Sequence, residues 1–223
     1  MKYMEIHKLI DSTLLKPEST ADQITSLCLE AVEYEFAAVC VNPYYADLAS
    51  RLLAGSGVKT CVVVGFPLGA SVSGAKACEA EHALGDGAEE LDMVMNIGAF
   101  KSGDLSTVED DIRAVAELCS GRALVKVILE CCLLSDTEKV KACDIAVAAG
   151  ADFVKTSTGF GPGGATVKDV SLLKKAVSGR ARVKASGGIG ELETALSMID
   201  AGAERIGTSK GVALAEEARR RGG

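Results

Sequence analysis

The chain has 223 residues, with 24 Lys and Arg against 31 Asp and Glu, so its net charge is −7. This acidic balance argues against nucleic acid or an anionic membrane as a general partner, but it permits a small anion in a local basic pocket. No apolar stretch is long enough to predict a membrane span, and the first twelve residues, MKYMEIHKLIDS, lack the core of a signal peptide. We therefore expect a cytoplasmic protein.

The cysteine and histidine pattern argues against a metal site. None of the eight cysteines forms a Cys-x-x-Cys pair, and the only histidines are His7 and His82. Zinc-type spacing is absent, so we expect no metal. Most of the cysteines lie in apolar runs, which predicts small buried side chains rather than disulfides.

Short apolar runs alternate with helix-length amphipathic segments along the whole chain. Several runs are almost continuous in Val, Ile, Leu and Cys, which is typical of parallel strands covered on both faces. The pattern predicts eight strands: Leu9–Ser12, Ala37–Asn42, Thr60–Phe66, Leu91–Asn96, Leu124–Glu130, Phe153–Thr158, Arg182–Ser186 and Arg205–Thr208.

Local signals mark the ends of the intervening helices. Capping boxes are predicted at Thr20–Gln23, Ser106–Glu109 and Ser135–Glu138, and glycine is predicted to end helices at Gly85, Gly150 and Gly202.

A weak repeat of Gly-Ala followed by an acidic residue precedes three of the predicted strands. It begins at positions 87, 150 and 202, which are about two βα units apart. Eight βα units without a linker predict an α/β fold, a single (β/α)8 TIM barrel over residues 1–223. An open, doubly wound sheet is the structural alternative.

Three of the strands carry the dipeptide Val-Lys, with lysines at Lys126, Lys155 and Lys184. Since side chains alternate along a barrel strand, the same parity points all three lysines inward, at matching depth. Lys155 and Lys184 lie on consecutive strands, so their ammonium groups can approach near the barrel mouth. A neighbouring cation and desolvation both favour a neutral amine, the nucleophile that forms a Schiff base with a carbonyl compound. The simpler interpretation is a set of paired or snorkelling lysines.

An acidic residue lies within reach of these lysines. Asp92 is flanked by apolar residues on the fourth predicted strand. A salt bridge to Lys126 would be a sufficient structural role, and it is compatible with proton transfer.

Two glycine-rich segments near the end of the chain predict an anion site. SGGIG begins at Ser186 after the seventh strand, and GTSKG begins at Gly207 and opens the last helix. Backbone N–H groups of such loops and helix N-termini bind phosphate, and phosphate sites after strands seven and eight are common in these barrels. Each cluster alone is also ordinary turn chemistry. Together they indicate a small phosphorylated carbonyl substrate.

The segments LIDSTLLKP, AAVCVNP, VVGFPLGA, LDMVMNIGA, VKVILE, DFVKTSTGFG, VKASGGI and RIGTSKG resemble the deoxyribose-phosphate aldolase family. The resemblance runs in order from Ile10 to Gly211. It implies a (β/α)8 barrel that cleaves 2-deoxy-D-ribose 5-phosphate reversibly to acetaldehyde and D-glyceraldehyde 3-phosphate without metal or cofactor. It also implies a role in carbohydrate and deoxyribonucleotide catabolism, and a homo-oligomer, either a dimer or a tetramer.

The same resemblance assigns roles to individual residues. Lys155 would form the Schiff base, Lys184 would favour its neutral form and relay protons, and Asp92 would act as acid and base through water. The residues expected to contact substrate are Asp11, Cys40, Lys126, Thr158, Gly187, Gly188, Thr208 and Ser209. Cys40 would lie near the substrate and be chemically reactive, although core packing is the simpler and favoured interpretation of this residue.

The chain departs from the family pattern at two positions. Ser12 stands where many bacterial relatives have histidine, and we expect little effect because Asp11 and Thr13 are kept. Phe160 stands where some relatives carry a second lysine, so phosphate binding would depend more on backbone N–H groups.

Two other functions are compatible with the same residues. One is a Schiff-base aldolase or transaldolase that acts on a different sugar phosphate. The other is a barrel that binds a phosphorylated ligand without catalysis. A metal-dependent aldolase is disfavoured because the chain offers two histidines and no cluster of ligands.

Overall fold

A computed structural model describes residues 5–222. The predicted domain also includes residues 1–4 and residue 223, which lie outside the described range. The N-terminal segment that lacks a signal-peptide pattern begins with these first four residues. Eight parallel strands pair in chain order, and the last pairs with the first to close a barrel. The predicted TIM barrel is therefore confirmed. The strands are β1 (Ile10–Leu14), β2 (Ala38–Val41), β3 (Lys59–Val64), β4 (Glu90–Val94), β5 (Leu124–Ile128), β6 (Phe153–Lys155), β7 (Arg182–Ser186) and β8 (Arg205–Thr208).

Helices connect the strands and surround the barrel. They are α1 (Ala21–Glu33), α2 (Ala46–Leu53), α3 (Ser73–Gly85), α4 (Ile97–Lys101), α5 (Leu105–Cys119), α6 (Asp136–Ala148), α7 (Val167–Val177), α8 (Leu192–Asp200) and α9 (Gly211–Gly222). Short 3-10 turns cover Ile6–Leu9, Pro43–Tyr45 and Cys131–Leu133.

The predicted strands occur in the right order, and two of them, β7 and β8, have the predicted bounds. Several others were predicted to run too far at the carboxyl end. At β3 and β5 the backbone turns into the left-handed region soon after the strand, at Gly65 (φ 63°) and at Glu130 (φ 55°). This conformation ends the regular pairing of the strand with its neighbours, although the sequence pattern that predicts a strand continues beyond it.

Two of the three predicted capping boxes are confirmed. The side chains of Thr20 and Ser135 cap α1 and α6, and the backbone N–H of each cap residue donates in return to the side chain of the third helical residue. The prediction at Ser106 is wrong, because α5 begins two residues earlier than that cap requires and Asp104 accepts from the Thr107 N–H instead. Aspartate is as good an N-cap as serine, and here it comes first in the chain.

The Gly-Ala-acid repeat marks equivalent positions in the barrel. Gly87, Gly150 and Gly202 all have positive φ, between 91° and 110°, and each lies just after a helix and before a strand. The glycine after α3 is therefore Gly87, whereas Gly85 is the last residue of that helix. Glycine adopts this conformation without steric cost, which explains why the repeat begins with it.

The main hydrophobic core lies between the barrel and its helices. A smaller apolar cluster joins residues of β2 and β3 to the residue that follows β1: Ala38, Cys40, Cys61, Val63 and Leu15. Six of the eight cysteines are buried, as predicted for most of them, and Cys78 and Cys132 are exposed. Within residues 5–222, no helix has the length and apolar character needed to cross a bilayer. The cytoplasmic location stays a prediction.

Candidate active site

Three lysine side chains meet inside the barrel. Lys126 on β5, Lys155 on β6 and Lys184 on β7 are all buried, as the strand parity predicts. Lys155 and Lys184 are in register on adjacent strands. The arrangement places two amines next to each other at the carboxyl end of the barrel, where sites of this fold are found.

Asp92 lies at the centre of the three lysines. Its Oδ2 is 2.6 Å from Lys155 Nζ and 2.7 Å from Lys184 Nζ, and its Oδ1 is 2.8 Å from Lys126 Nζ. The predicted ion pair between Asp92 and Lys126 is thus present. One carboxylate is shared among three ammonium groups. Rotating or removing it would leave several buried charges without their partner.

A second set of charges lies deeper in the barrel. Lys126 Nζ is 2.6 Å from Glu90 Oε2, and Arg205 bridges Glu90 and Asp11 at 2.7 Å each. Asp11 in turn accepts a short hydrogen bond from Lys184 Nζ. The expected substrate residue Asp11 is thus a completely buried partner of Lys184 and Arg205.

The prediction that the three lysines lie at matching depth is wrong. Lys126 is in register with Phe153, two residues before Lys155 on β6. Lys155 is instead in register with Ile128 on one side and with Lys184 on the other. Because register depends on the pairing of whole strands, the Val-Lys dipeptide alone does not reveal it.

The network fixes the charge states of its carboxylates. Burial raises the pKa of Asp92, but the attraction of Lys126, Lys155 and Lys184 outweighs it and holds this pKa well below its usual value. Burial likewise raises the pKa of Asp11, but Lys184 and two further cations lower it to about 2. Both carboxylates are therefore ionised at neutral pH.

The same balance acts on two of the lysines. Burial lowers the pKa of Lys184, yet Asp11 and Asp92 outweigh burial and raise it above its usual value. Burial also lowers the pKa of Lys126, but Asp92 and other acidic neighbours outweigh burial and raise this pKa well above its usual value. These contacts therefore favour the charged forms of Lys126 and Lys184 beside Asp92.

A cavity of about 540 Å³ opens at the carboxyl ends of the strands. Of the three interior lysines, Lys155 lines it, whereas Lys126 and Lys184 do not. A ligand in the cavity would therefore meet the Lys155 amine first. The cavity lining also includes five of the residues predicted to contact substrate: Thr158, Gly187, Gly188, Thr208 and Ser209.

The far side of the cavity is suited to an anion. The described lining of the whole cavity includes Lys16 and Lys210 in addition to Lys155, and it includes no Asp or Glu. Gly187 and Gly188 are consecutive residues with positive φ, of 88° and 76°, which lets the backbone turn sharply beside the cavity. Helix α9 begins at Gly211, directly after the lining residues, so its N-terminus adds a favourable dipole.

Phe160 also borders this cavity and is half exposed. Its ring meets Phe66 edge to face, with 5.2 Å between the ring centroids. The aromatic pair thus stands where the family resemblance predicts a second lysine in other members.

Two cysteines contact the central carboxylate. Cys61 Sγ lies 3.1 Å from Asp92 Oδ1, and Cys40 Sγ lies 4.0 Å from Oδ2. The three donor groups are close enough together to surround a metal ion. However, three ammonium groups already contact this carboxylate, and they would repel a divalent cation. Cys40 is fully buried and does not line the cavity, so its contact with substrate stays a prediction.

The sequence reasoning missed several residues of the charge network and the cavity. Glu90 and Arg205 complete the deeper network, and the cavity lining also includes Thr13 on β1 and Lys16 after it. The sequence signal for Glu90 and Arg205 was a charged residue at the start of an apolar strand. Nothing local distinguishes such a charge from an ordinary exposed strand end.

Comparison with known proteins agrees with this geometry. Residues 6–215 match the model of the DeoC/LacD family of aldolases. The chain is 56% identical to a deoxyribose-phosphate aldolase of Clostridium tetani over 216 residues, covering 97% of this chain and 100% of the relative. It is 58% identical to one of Streptococcus sanguinis, covering 95% and 96%.

A solved structure supports the same relationship. The tetrameric deoxyribose phosphate aldolase of Aeropyrum pernix superposes with a TM-score of 0.91 at 36% identity, covering 97% of this chain and 92% of that one. The chain therefore belongs to the DeoC/LacD family of aldolases.

Proposed function

We propose that this protein is a class I aldolase that reversibly cleaves 2-deoxy-D-ribose 5-phosphate to acetaldehyde and D-glyceraldehyde 3-phosphate. The observation that carries the proposal is the position of Lys155, whose amine faces a cavity with a cationic, glycine-rich far side. The family relatives supply the substrate, since those with over 55% identity are named deoxyribose-phosphate aldolase. The cavity offers an amine for the aldehyde and an anion site for the phosphate.

The charge balance of the interior favours Lys155 as the nucleophile. The network holds four basic side chains, Lys126, Lys155, Lys184 and Arg205, against three carboxylates, Asp11, Glu90 and Asp92. One basic group is therefore in excess. Lys184 and Lys126 each contact more than one carboxylate, whereas Lys155 contacts Asp92, which it shares with the other two lysines. Lys155 is therefore the interior lysine with the fewest carboxylate partners, and it is also the one that lines the cavity.

The reaction follows from this arrangement. The neutral amine of Lys155 attacks C1 of the open-chain aldehyde, and the carbinolamine loses water to give an iminium ion. Asp92, working through a water, takes the proton of the C3 hydroxyl while Lys184 supplies the compensating positive charge. The C2–C3 bond breaks, its electrons move into an enamine, and glyceraldehyde 3-phosphate leaves. Protonation of the enamine at C2 and hydrolysis of the resulting imine release acetaldehyde and free Lys155.

The direct test is trapping of the imine. Treatment with acetaldehyde and borohydride is expected to leave a reduced two-carbon adduct on the peptide that contains Lys155, found by mass spectrometry. Lys155→Ala is expected to abolish both the adduct and cleavage. An adduct on Lys184, or no adduct in protein that cleaves the substrate, would contradict the assignment.

Two further assays separate the alternative functions. Cleavage measured across several sugar phosphates distinguishes a different aldolase or a transaldolase. A non-catalytic binder would be protected against heat by the sugar phosphate, would form no trapped imine, and would behave the same after Lys155→Ala. Full activity in excess chelator is expected for a metal-free mechanism.

We further propose that residues 1–223 act as a single barrel domain in sugar and deoxyribonucleotide catabolism in the cytoplasm. The homo-oligomer stays a prediction, and the tetrameric relative from Aeropyrum pernix supports it. Sedimentation analysis of the purified protein tests this part of the proposal.

A further inference from the structure

Glu130 adopts a backbone conformation that its residue type disfavours. It lies two residues after the end of β5, with φ 55° and ψ 65°, and its side chain is buried. A non-glycine residue is held in the left-handed region only where its surroundings fix it there, and such residues are frequent near functional sites. The contacts of its carboxylate show what fixes it.

The Glu130 carboxylate binds Thr158 through both of that residue's donors. The Thr158 N–H lies 3.3 Å from Oε2 and 3.4 Å from Oε1, and its hydroxyl donates a short hydrogen bond to Oε2. Cys132 Sγ adds a contact of 3.7 Å. Within residues 5–222, no basic side chain pairs with this carboxylate, so Thr158 supplies most of the stabilisation of its charge.

Thr158 begins the loop that joins the amine to the anion site. It lies three residues after Lys155 and lines the cavity. The loop packs on Glu130 at Gly161, where an added Cβ would lie 3.1 Å from the Glu130 carboxyl carbon. At the other end of the loop, the Ala165 N–H donates to the Gly187 carbonyl at 3.0 Å. The loop is thus held by Glu130 at one end and rests on the anion site at the other.

The hydroxyl of Thr158 has no proton left for a ligand. It donates to Glu130 and accepts from the Phe160 N–H at 3.0 Å. A direct hydrogen bond from this hydroxyl to substrate would require breaking the bond to Glu130. The arrangement assigns Thr158 to the shape of the loop.

We propose that Glu130 is a positioning residue for substrate binding, which acts through Thr158 to hold the loop of residues 158–165 against Gly187. This inference rests on the proposed function and deepens it. It predicts that Glu130 contributes to recognition of the phosphorylated end of the substrate, while formation of the imine at Lys155 does not require it.

The test compares two substrates in Glu130→Gln. The glutamine amide keeps one neutral acceptor for Thr158 and replaces the second oxygen, which shares the Thr158 N–H, with an N–H₂ donor, so the hold on the loop weakens. The ratio of kcat/KM for 2-deoxyribose 5-phosphate to that for 2-deoxyribose is expected to fall about 10-fold or more, mainly through KM of the phosphorylated substrate. Trapping of acetaldehyde on Lys155 is expected to continue.

Asp152→Asn is the matched control. Asp152 lies at the opposite end of the same pair of strands and accepts from the backbone N–H of Val125 at 2.8 Å. It has a similar acceptor role, but it lies before β6 and does not line the mouth cavity. This variant is expected to lower thermal stability and to leave the substrate ratio unchanged.

Thr158→Val tests the same contact from the other side and decides the question if Glu130→Gln does not fold. It is expected to lower the same ratio, and the double variant is expected to be no worse than the more affected single variant. If the wild type cleaves the phosphorylated substrate and the variants that fold keep the wild-type ratio, the positioning role of Glu130 is overturned while the proposed function stands. Additive effects in the double variant would also overturn this positioning role. A wild type without this cleavage would overturn the proposed function and this inference together.

Discussion

Asp92 Oδ2 lies 2.6 Å from the amine of Lys155, although the two residues are 63 positions apart in the chain. The same oxygen is 2.7 Å from Lys184 Nζ. One carboxylate oxygen thus touches both the proposed nucleophile and its neighbouring cation. This contact links the chemistry of the site to the stability of the barrel, because the groups that would move protons also compensate one another's buried charge.

Asp92→Asn is expected to remove both functions. It leaves three lysines without their shared carboxylate, so the free energy of unfolding should fall by about 3–5 kcal/mol. The rate of cleavage should fall by a factor of about 10² to 10⁴, the usual contribution of a general acid or base. Urea unfolding and the cleavage assay measure the two effects.

The control for this variant is Asp111→Asn. Asp111 is a buried partner of Lys76 between α3 and α5, outside the network. It should lose stability to a similar extent and keep its activity. Equal losses of activity in both variants would show that Asp92 acts on the fold alone.

Lys184→Met is expected to slow imine formation without moving it to another residue. The variant removes a positive charge that lies beside the reacting amine, because Lys184 and Lys155 share the same oxygen of Asp92. The rate of acetaldehyde trapping at pH 7 should fall about 10-fold or more, and the adduct should remain on Lys155. Lys76→Met, which also removes a buried lysine paired with a carboxylate, should trap at the normal rate. Normal trapping in Lys184→Met would contradict the assigned role.

The stability of the protein should depend on pH through Asp11. Its pKa is lowered from 3.8 to about 2 in the folded chain, so the folded state holds this proton less tightly than the unfolded state. The resulting stabilisation, of order 2 kcal/mol, is present above pH 4 and is lost as the pH falls from about 4 through 2. Asp92, whose pKa is also well below normal, extends the loss to lower pH.

Urea unfolding at several pH values between 6 and 2 checks this prediction. Asp11→Asn should be less stable than the wild type at pH 6, with a shallower dependence on pH. Asp144→Asn, which breaks an exposed pair with Arg180, should keep the wild-type dependence. An unchanged slope in Asp11→Asn would show that other groups control acid unfolding.

Phe160→Lys is expected to strengthen binding of the phosphorylated substrate. The Phe160 side chain lines the same cavity as Gly187 and Gly188, and it contacts Phe66. A cation there should lower KM for the phosphorylated substrate about threefold to tenfold, less so at high salt, and leave KM for 2-deoxyribose unchanged. Phe160→Met, which loses the aromatic contact without adding charge, should lack the effect. A similar change in both variants would assign the effect to the aromatic pair.

Much of this protein is determined by local sequence. Alternating apolar runs and helix caps are short-range signals, and they gave eight strands in the right order and two correct capping boxes. Strand parity correctly pointed Lys126, Lys155 and Lys184 into the barrel. These features depend on the period of the backbone and on bonds within a few residues, so the sequence by itself determines them.

The tertiary structure alone decided which charges meet. Arg205 binds Asp11 from 194 positions away, and Lys126 lies two residues deeper than the sequence pattern suggested. Glu130 reads as the end of a strand, yet it turns left-handed to bind Thr158. Closure of the barrel sets the register of every strand at once, and register determines which buried charges become neighbours. A buried charge is stable only beside its partner, so the partners of Lys155 become known when the barrel closes.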